Sequence, residues 1–299
     1  MDKQLSITVG ITTCYGGRSL LHTIKTILLS EHVGKFRIII QADRTPIEAK
    51  IKQEFLDLGV ELYWNDEEGS QFKKLKQIVT KTHSDIFIFT QDDITFRPDT
   101  IETIVKEFAT DEQVSMVGSR VLPLPPLNWF EAAMTSVVRI VDRTAVNWNN
   151  GTNYLAASGR CLSFRTSYLK KFRFQENVIN GDMYLYLENK RLGGKFKRSH
   201  QSIIYLRCPQ SLKDQLGPSS RFQYSQSELT EYFDTNISSE YEIPMAALLK
   251  ASLFEFLCHP VNFVMYITIF IYSRLKKQPI SMVTNPLWNI DISTKGILK

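Results

Sequence analysis

The chain lacks most of the signatures that tie a sequence to one chemistry. Its four cysteines, Cys14, Cys161, Cys208 and Cys258, are far apart and form no CxxC pair. That spacing argues against a zinc ribbon and a disulfide frame, and fits reduced thiols in a cytosolic chain. Five histidines, His22, His32, His83, His200 and His259, show neither His-x-x-His nor Glu-x-x-His spacing and are read as structural. The segment Cys14-Tyr15-Gly16-Gly17-Arg18 lacks the third glycine of a dinucleotide fingerprint, and no Walker lysine motif is present. There is no internal repeat and no low-complexity stretch. The net charge of +5 is weak and dispersed. No basic stripe alternates with aromatics, so no nucleic-acid partner is expected. The first four residues run straight into a strand-like segment, so no signal peptide is expected.

What is present is ordinary in bulk and specific in pattern. The 299 residues, 43% hydrophobic and 22% charged, suit a globular enzyme with one large domain or two fused halves. Apolar runs at Leu5–Ile11, Phe36–Ile40, Val60–Trp64 and Ile86–Phe89 read as strands. Helical periodicity fills the gaps, with faces of Leu20, Leu21, Ile24, Ile27 and Leu28, then Ile47, Ile51, Phe55 and Leu58, then Phe72, Leu75, Ile78 and Val79. Start signals precede three helices: Ser19, Thr45-Pro46 and Pro98-Asp99. Strand–helix alternation at this spacing predicts an α/β fold with a mostly parallel sheet flanked by helices.

The most informative segment is Ile86-Phe87-Ile88-Phe89-Thr90-Gln91-Asp92-Asp93-Ile94. A strand buried on both faces ends abruptly in two carboxylates. Ligand sites of parallel α/β sheets lie at the carboxyl ends of the strands. Adjacent carboxylates there suit a hard divalent cation shared with substrate phosphates.

The later chain is less regular. Residues 121–157, with three prolines, two tryptophans and an Asn147-Trp148-Asn149-Asn150-Gly151 cluster, read as a long, partly irregular crossover. A strand-like Leu155–Phe164, a short helix near Tyr168–Lys171, a helix from Asp182 to Leu192 and a strand from Lys195 to Tyr205 follow. The polar stretch Ser219–Ser239 reads as a link. Residues 244–277 are strongly apolar but interrupted by Glu255, His259, Pro260 and Asn262. No clean spanning helix is available. A broken helical pair in a membrane interface is expected, with Ser273-Arg274-Leu275-Lys276-Lys277 at the headgroups. A C-terminal helix packed on the core is the alternative.

In order and context these segments resemble a family 2 glycosyltransferase of the GT-A fold. The stretch Ile7-Thr8-Val9-Gly10-Ile11-Thr12-Thr13-Cys14-Tyr15 is similar to the family's first strand and donor loop. Ile38-Ile39-Ile40-Gln41-Ala42-Asp43 is similar to its second strand. Gln91-Asp92-Asp93 resembles its Asp-x-Asp motif, and Ser158–Arg165 its acceptor-side strand. Asn180-Gly181-Asp182 resembles the helix that carries the catalytic base. Pro218-Ser219-Ser220-Arg221-Phe222 looks like a degraded Gln-x-x-Arg-Trp segment of membrane-bound polysaccharide synthases. The resemblance spans roughly residues 5–225. Gln91 departs from the family's first acid, and Gly181 stands where an acid usually precedes the base.

The resemblance implies an inverting transferase that moves a sugar from a nucleotide-sugar donor, with UDP the expected nucleotide, to a glycan or lipid-linked saccharide. It implies Mn²⁺ or Mg²⁺ on Asp93, with Asp92 at the ribose or the metal shell. Asp182 is the expected general base, and equally a good helix N-cap. Thr12, Thr13 and Tyr15 are expected at the donor. Asp43 is expected at the base, or as a helix cap, and Lys74 and Arg221 at the diphosphate. Arg160 and Arg165 read as surface residues. The implied division is 1–120 for nucleotide-sugar binding, 121–240 for acceptor binding and catalysis, and 241–299 as a membrane-associating tail. A peripheral or monotopic protein at the cytoplasmic face of a membrane follows, with homo-oligomerisation open. Two rivals remain: a nucleotidyltransferase making an activated sugar, and a non-catalytic membrane-bound scaffold.

Overall fold

Near-continuous apolar strands need cover on both faces, and helices supply it here. The computed structural model describes residues 5–233, 237–276 and 294–295, with side chains except at 217–224. The opening half alternates as its periodicity predicts: β1 (Ile7–Thr13), α1 (Arg18–Leu28), β2 (Phe36–Ala42), α2 (Ala49–Asp57), β3 (Glu61–Trp64), α3 (Gln71–Lys81) and β4 (Ile86–Gln91). These four strands are parallel in the order β3-β2-β1-β4. One face buries Val9, Ile11, Ile38, Ile40, Ile86 and Ile88 against the apolar stripes of α1 and α2. The other buries Ile39, Phe87 and Phe89 against α3. Phe87 is fully buried. Its truncation to alanine would cost about 3–5 kcal/mol.

The remaining strands extend the same sheet. They are β5 (Ile94–Phe96), β6 (Val114–Pro123), β7 (Cys161–Arg165) and β8 (Lys195–Leu206). The helices between and after them are α4 (Thr100–Thr110), α5 (Trp129–Asn147), α6 (Thr166–Leu169), α7 (Gly181–Arg191) and α8 (Leu212–Phe233). The full order is β3-β2-β1-β4-β7-β6-β8-β5. Strand β7 runs antiparallel to β4, with Thr90 opposite Cys161. That reversal matters, because it carries the residues before β7 to the carboxyl end of β4. Strand β5, from the first half, pairs with β8 of the second, so strands of both halves interleave in one sheet.

Two expectations are corrected here. Residues 121–157 are not an irregular crossover, because α5 occupies 19 of them. Asn128 caps it, its side chain accepting the Glu131 N–H. Its buried face mixes Phe130, Met134 and Ile140 with Glu131, Ser136 and Asp142, so no apolar stripe is visible in the sequence. Those acids are answered from the sheet: Arg207 pairs with Glu131, and Arg120 and Arg198 with Asp142. Most of the Ser219–Ser239 stretch is likewise helical, in α8 rather than a link.

The tail forms two helices, α9 (Met245–Cys258) and α10 (Pro260–Leu275), broken at His259-Pro260. Both pack on α5. Among the described residues no helix is long and apolar enough to cross a membrane. Helix α9 is turned inside out. Its buried stripe is Ala247, Ala251 and Glu255. Glu255 takes Arg139 at 2.6 Å and Arg143 at 2.7 Å, both from α5. Burial raises the Glu255 carboxyl, and the two guanidiniums outweigh it, leaving it below its ordinary value. The outward side carries Met245, Leu249, Leu253 and Leu257.

Candidate active site

The carboxyl ends of β1, β2 and β4 lie in register, Thr12 opposite both Gln41 and Gln91. This alignment gathers Thr13, Asp43, Asp92 and Asp93 along one edge. Asp92 and Asp93 are both buried. Thr13 Oγ1 donates a short hydrogen bond to Asp92 Oδ2 and accepts the N–H groups of Tyr15 and Gly16 at 3.1 and 3.0 Å. Thr13 therefore closes the β1 turn and fixes Asp92. Thr12 is buried between its two strand neighbours, and Tyr15 is half-buried in the turn.

Asp43 and Lys74 meet each other. Asp43 Oδ2 accepts from Lys74 Nζ at 2.7 Å and from the Gly69 N–H at 2.9 Å. Lys74 Nζ also donates to the Gly69 carbonyl at 3.1 Å. A lysine expected at a diphosphate thus braces the end of β2. Asp43 Oδ1 is buried and accepts no hydrogen bond. Arg44 Nε lies 3.9 Å from it, and a buried carboxylate oxygen without a hydrogen bond suits an N–H of a bound base. Arg221 lies on α8, but its side chain falls outside the described residues.

Arg160, expected at the surface, joins the site instead. The antiparallel β4–β7 pairing sets it beside Gln91, and Thr90 Oγ1 pins its carbonyl at 2.7 Å. Its guanidinium donates to Gln91 Oε1 at 2.7 Å and to Asp93 Oδ1 at 3.3 Å. Gln91, in the position of the family's first acid, thus anchors a cation through a neutral oxygen. Arg165 is not a free surface residue either, since it donates to the carbonyls of Phe108, Asp111 and Val114.

Arg160 also acts on Asp182, in the first turn of α7. Asn180, not Asp182, is the N-cap, its side chain accepting the Met183 N–H. The cap role thus falls to a neighbour, and Asp182 stays available for chemistry. Protein atoms crowd its carboxyl, which nevertheless keeps some surface open to solvent. Burial raises the Asp182 pKa above its ordinary value, opposed by a hydrogen bond from the Gly159 N–H and by the Arg160 charge. The Asp93 carboxyl ends up below its ordinary value. Burial pushes it up, and Lys295, Arg160 and Thr294 together outweigh that push.

Two glycines make this arrangement fit. A Cβ on Gly159 would overlap Asp182 Oδ1 and lie 2.8 Å from its Cγ. A Cβ on Gly181 would overlap the Phe72 ring of α3. Glycine at position 181 thus suits the close approach of α7 to Phe72 on α3. Helix α8 steadies the same turn, Glu228 accepting the N–H groups of Ile179 at 2.7 Å and Asn180 at 3.3 Å.

Sequence reasoning missed Arg160, Glu228 and Lys295. Lys295, some 200 residues from the strand end, puts its Nζ between Asp92 and Asp93. Only the strand register and the tertiary fold bring these groups in, so no local pattern could have found them. No group of three or more His, Cys, Asp and Glu side chains able to hold a metal exists among the described residues. The two β4 carboxylates nonetheless already accept a cationic nitrogen between them. That fits a divalent ion whose other ligands are phosphate oxygens and water.

No protein-family model matches the sequence, and no curated protein matches it. Solved structures match in fold. A Pyrobaculum calidifontis mannosyltransferase, determined with GDP-Man and Mn²⁺, aligns at TM-score 0.57 and 12% identity over 91% of this chain and 76% of its own. Glucosyl-3-phosphoglycerate synthase from Mycobacterium tuberculosis, in complex with phosphoglyceric acid, aligns at 0.52 and 13% identity over 76% and 79%. S. aureus TarS 1-349 aligns at 0.51 and 11% identity over 91% and 92%. The fold of this chain is GT-A.

Proposed function

We propose that the protein is a glycosyltransferase using a nucleotide-sugar donor, UDP-linked by preference, and an inverting mechanism. The observation that carries the reading is two kinds of carboxylate sharing one cation, Arg160. At the end of β4, Lys295 contacts both Asp92 and Asp93 and Arg160 contacts Asp93, whereas among the described residues Arg160 is the one cation acting on Asp182. The fold supports it: one neighbour was determined with GDP-Man and Mn²⁺, another with UDP-glucose, Mn²⁺ and phosphoglyceric acid.

Asp93 and Asp92 would hold the divalent ion, which supplies a Lewis acid for the donor diphosphate. The acceptor hydroxyl attacks the anomeric carbon as its proton passes to Asp182. The new glycosidic C–O bond forms as the bond to the diphosphate breaks, and the nucleoside diphosphate leaves with that electron pair. A raised pKa suits this task, since a general base works best near the operating pH. Arg160 lies beside Asp93, where negative charge accumulates as the donor departs. Asp43 Oδ1 is the proposed acceptor for the nucleotide base.

The acceptor is proposed to be saccharide at a membrane surface. Of the twenty large apolar side chains exposed among the described residues, twelve lie in α9 and α10. Their outward stripe, ending at the exposed Arg274 and Lys276, suits an interface of acyl chains and anionic headgroups. Sedimentation with anionic vesicles tests it. Binding by the parent and its loss in a Leu249→Glu/Leu253→Glu double variant are expected. A parent that stays in the supernatant overturns the membrane part alone.

The activity itself is tested by a panel of UDP-, GDP- and dTDP-sugars with and without Mn²⁺. Thermal shift reads binding by mass action, and product release reads turnover. A stabilising donor that needs metal and is turned over is expected. Binding without turnover of any donor would leave the scaffold reading, and turnover of a sugar phosphate with UTP would favour the nucleotidyltransferase.

A further inference from the structure

The four carboxylate oxygens of Asp92 and Asp93 are all engaged. Asp92 Oδ2 takes Thr13, and Asp92 Oδ1 takes Lys295 through a short contact. Asp93 Oδ1 takes Arg160 at 3.3 Å. Asp93 Oδ2 takes Lys295 Nζ at 3.2 Å and the Thr294 hydroxyl at 3.3 Å. The lysine side chain is 13% exposed. Its ammonium contacts both residues that would hold a divalent ion, and it must leave before an ion could take those oxygens.

We propose that Lys295 is the resident cation of the donor-free site, and that a divalent ion binds Asp92 and Asp93 by displacing it. The inference rests on the metal reading above and adds a residue that sets metal affinity. Without a cation, two adjacent buried carboxylates repel each other and are costly to desolvate. Lys295 relieves both costs with one charge on a flexible stem. An ion brings two charges, and the donor diphosphate adds ligands that a lysine cannot supply. Metal affinity is therefore reduced by the fraction of molecules in which Lys295 occupies the site. Metal binding must in turn release Lys295 and Thr294 from the cleft.

Two readouts test this without turnover. Titration calorimetry with MnCl₂ alone should show Lys295→Ala binding Mn²⁺ about tenfold tighter than the parent, a 1.4 kcal/mol change, with Lys295→Arg near the parent. In the parent, trypsin cleavage after Lys295, read by mass spectrometry as loss of Gly296–Lys299, should accelerate when Mn²⁺ is added. Equal or weaker Mn²⁺ binding by Lys295→Ala overturns the proposal. So does a cleavage rate unchanged by bound Mn²⁺. If neither the parent nor the variant binds Mn²⁺, the metal reading of the site falls together with this one.

Discussion

The strand end after β4 and the first turn of α7 treat an aspartate in opposite ways. At the end of β4 burial is outweighed by Lys295 and Arg160, and Asp93 stays ionised below its ordinary pKa. At the start of α7 burial is opposed only by the Gly159 N–H and a share of the Arg160 charge, and Asp182 stays above its own. The same residue type is thus proposed as a cation holder in one place and as a proton acceptor in the other. The difference comes from how many cations are nearby, two acting on Asp93 and one on Asp182 among the described residues. Arg160 is the shared neighbour, and it separates the two roles.

The contrast breaks hardest at Asp182. Replacing it with Asn keeps an oxygen for the Gly159 N–H but removes the base. Transfer should fall about 10²–10⁴-fold, with donor affinity in the presence of Mn²⁺ unchanged by calorimetry. Parental turnover by Asp182→Asn would sink the assignment. Next comes Gly159→Ala, whose methyl group would displace the Asp182 carboxylate. A misplacement of that size should lower kcat about 10²-fold, while Mn²⁺ binding at the β4 carboxylates stays parental.

Arg160→Met tests the shared cation. Without it both carboxyls move up in pKa. The acid limb of the rate profile should therefore move to higher pH than in the parent, and kcat/KM should fall about tenfold or less through weaker diphosphate binding. An unmoved acid limb would mean that Arg160 does not act on Asp182.

The smallest effects are on stability and have opposite signs. Asp93 has a lowered folded-state pKa. Its ionisation therefore favours the fold above the unfolded carboxyl pKa of about 3.9, and that gain is lost as pH falls through the lower folded value. Asp182 has a raised one, so stability declines as pH climbs from the unfolded value through the higher folded value. At pH 7.5, Asp182→Asn should raise Tm by about 2 °C and Asp93→Asn should lower it by about 2–4 °C. The two shifts should converge towards zero in acid, where both carboxyls are protonated. Shifts of the same sign at pH 7.5 would erase the contrast.

What the sequence could reveal followed from how locally each element is encoded. Strands β1, β2 and β4 announce themselves because both faces are apolar, and the abrupt change at Gln91-Asp92-Asp93 marks the site. Strand β6 went unseen because Ser115, Gly118 and Ser119 interrupt its apolar run, although it is buried there. Helix α5 was hidden by its own buried acids, which are neutralised by Arg120 on β6, Arg198 on β8 and Arg207 just after it. Asp182 was legible as a helix-start acid. Its pKa was not, because Gly159 and Arg160 arrive only through the β4–β7 register. Lys295 is the extreme case, invisible to any window yet in contact with both aspartates.

The contact of Gly181 with Phe72 has a consequence for substitution. A second acid beside Asp182 cannot be introduced at position 181 by a single change without a collision. Gly181→Asp alone would drive α7 away from α3 and move Asp182 with it. Only a chain that first trades Phe72 for a small residue could accept the acid. The two positions are therefore epistatic. Each step alone is damaging, by a collision in one order and by a cavity in the other. While Phe72 fills that space, this turn holds a single acid.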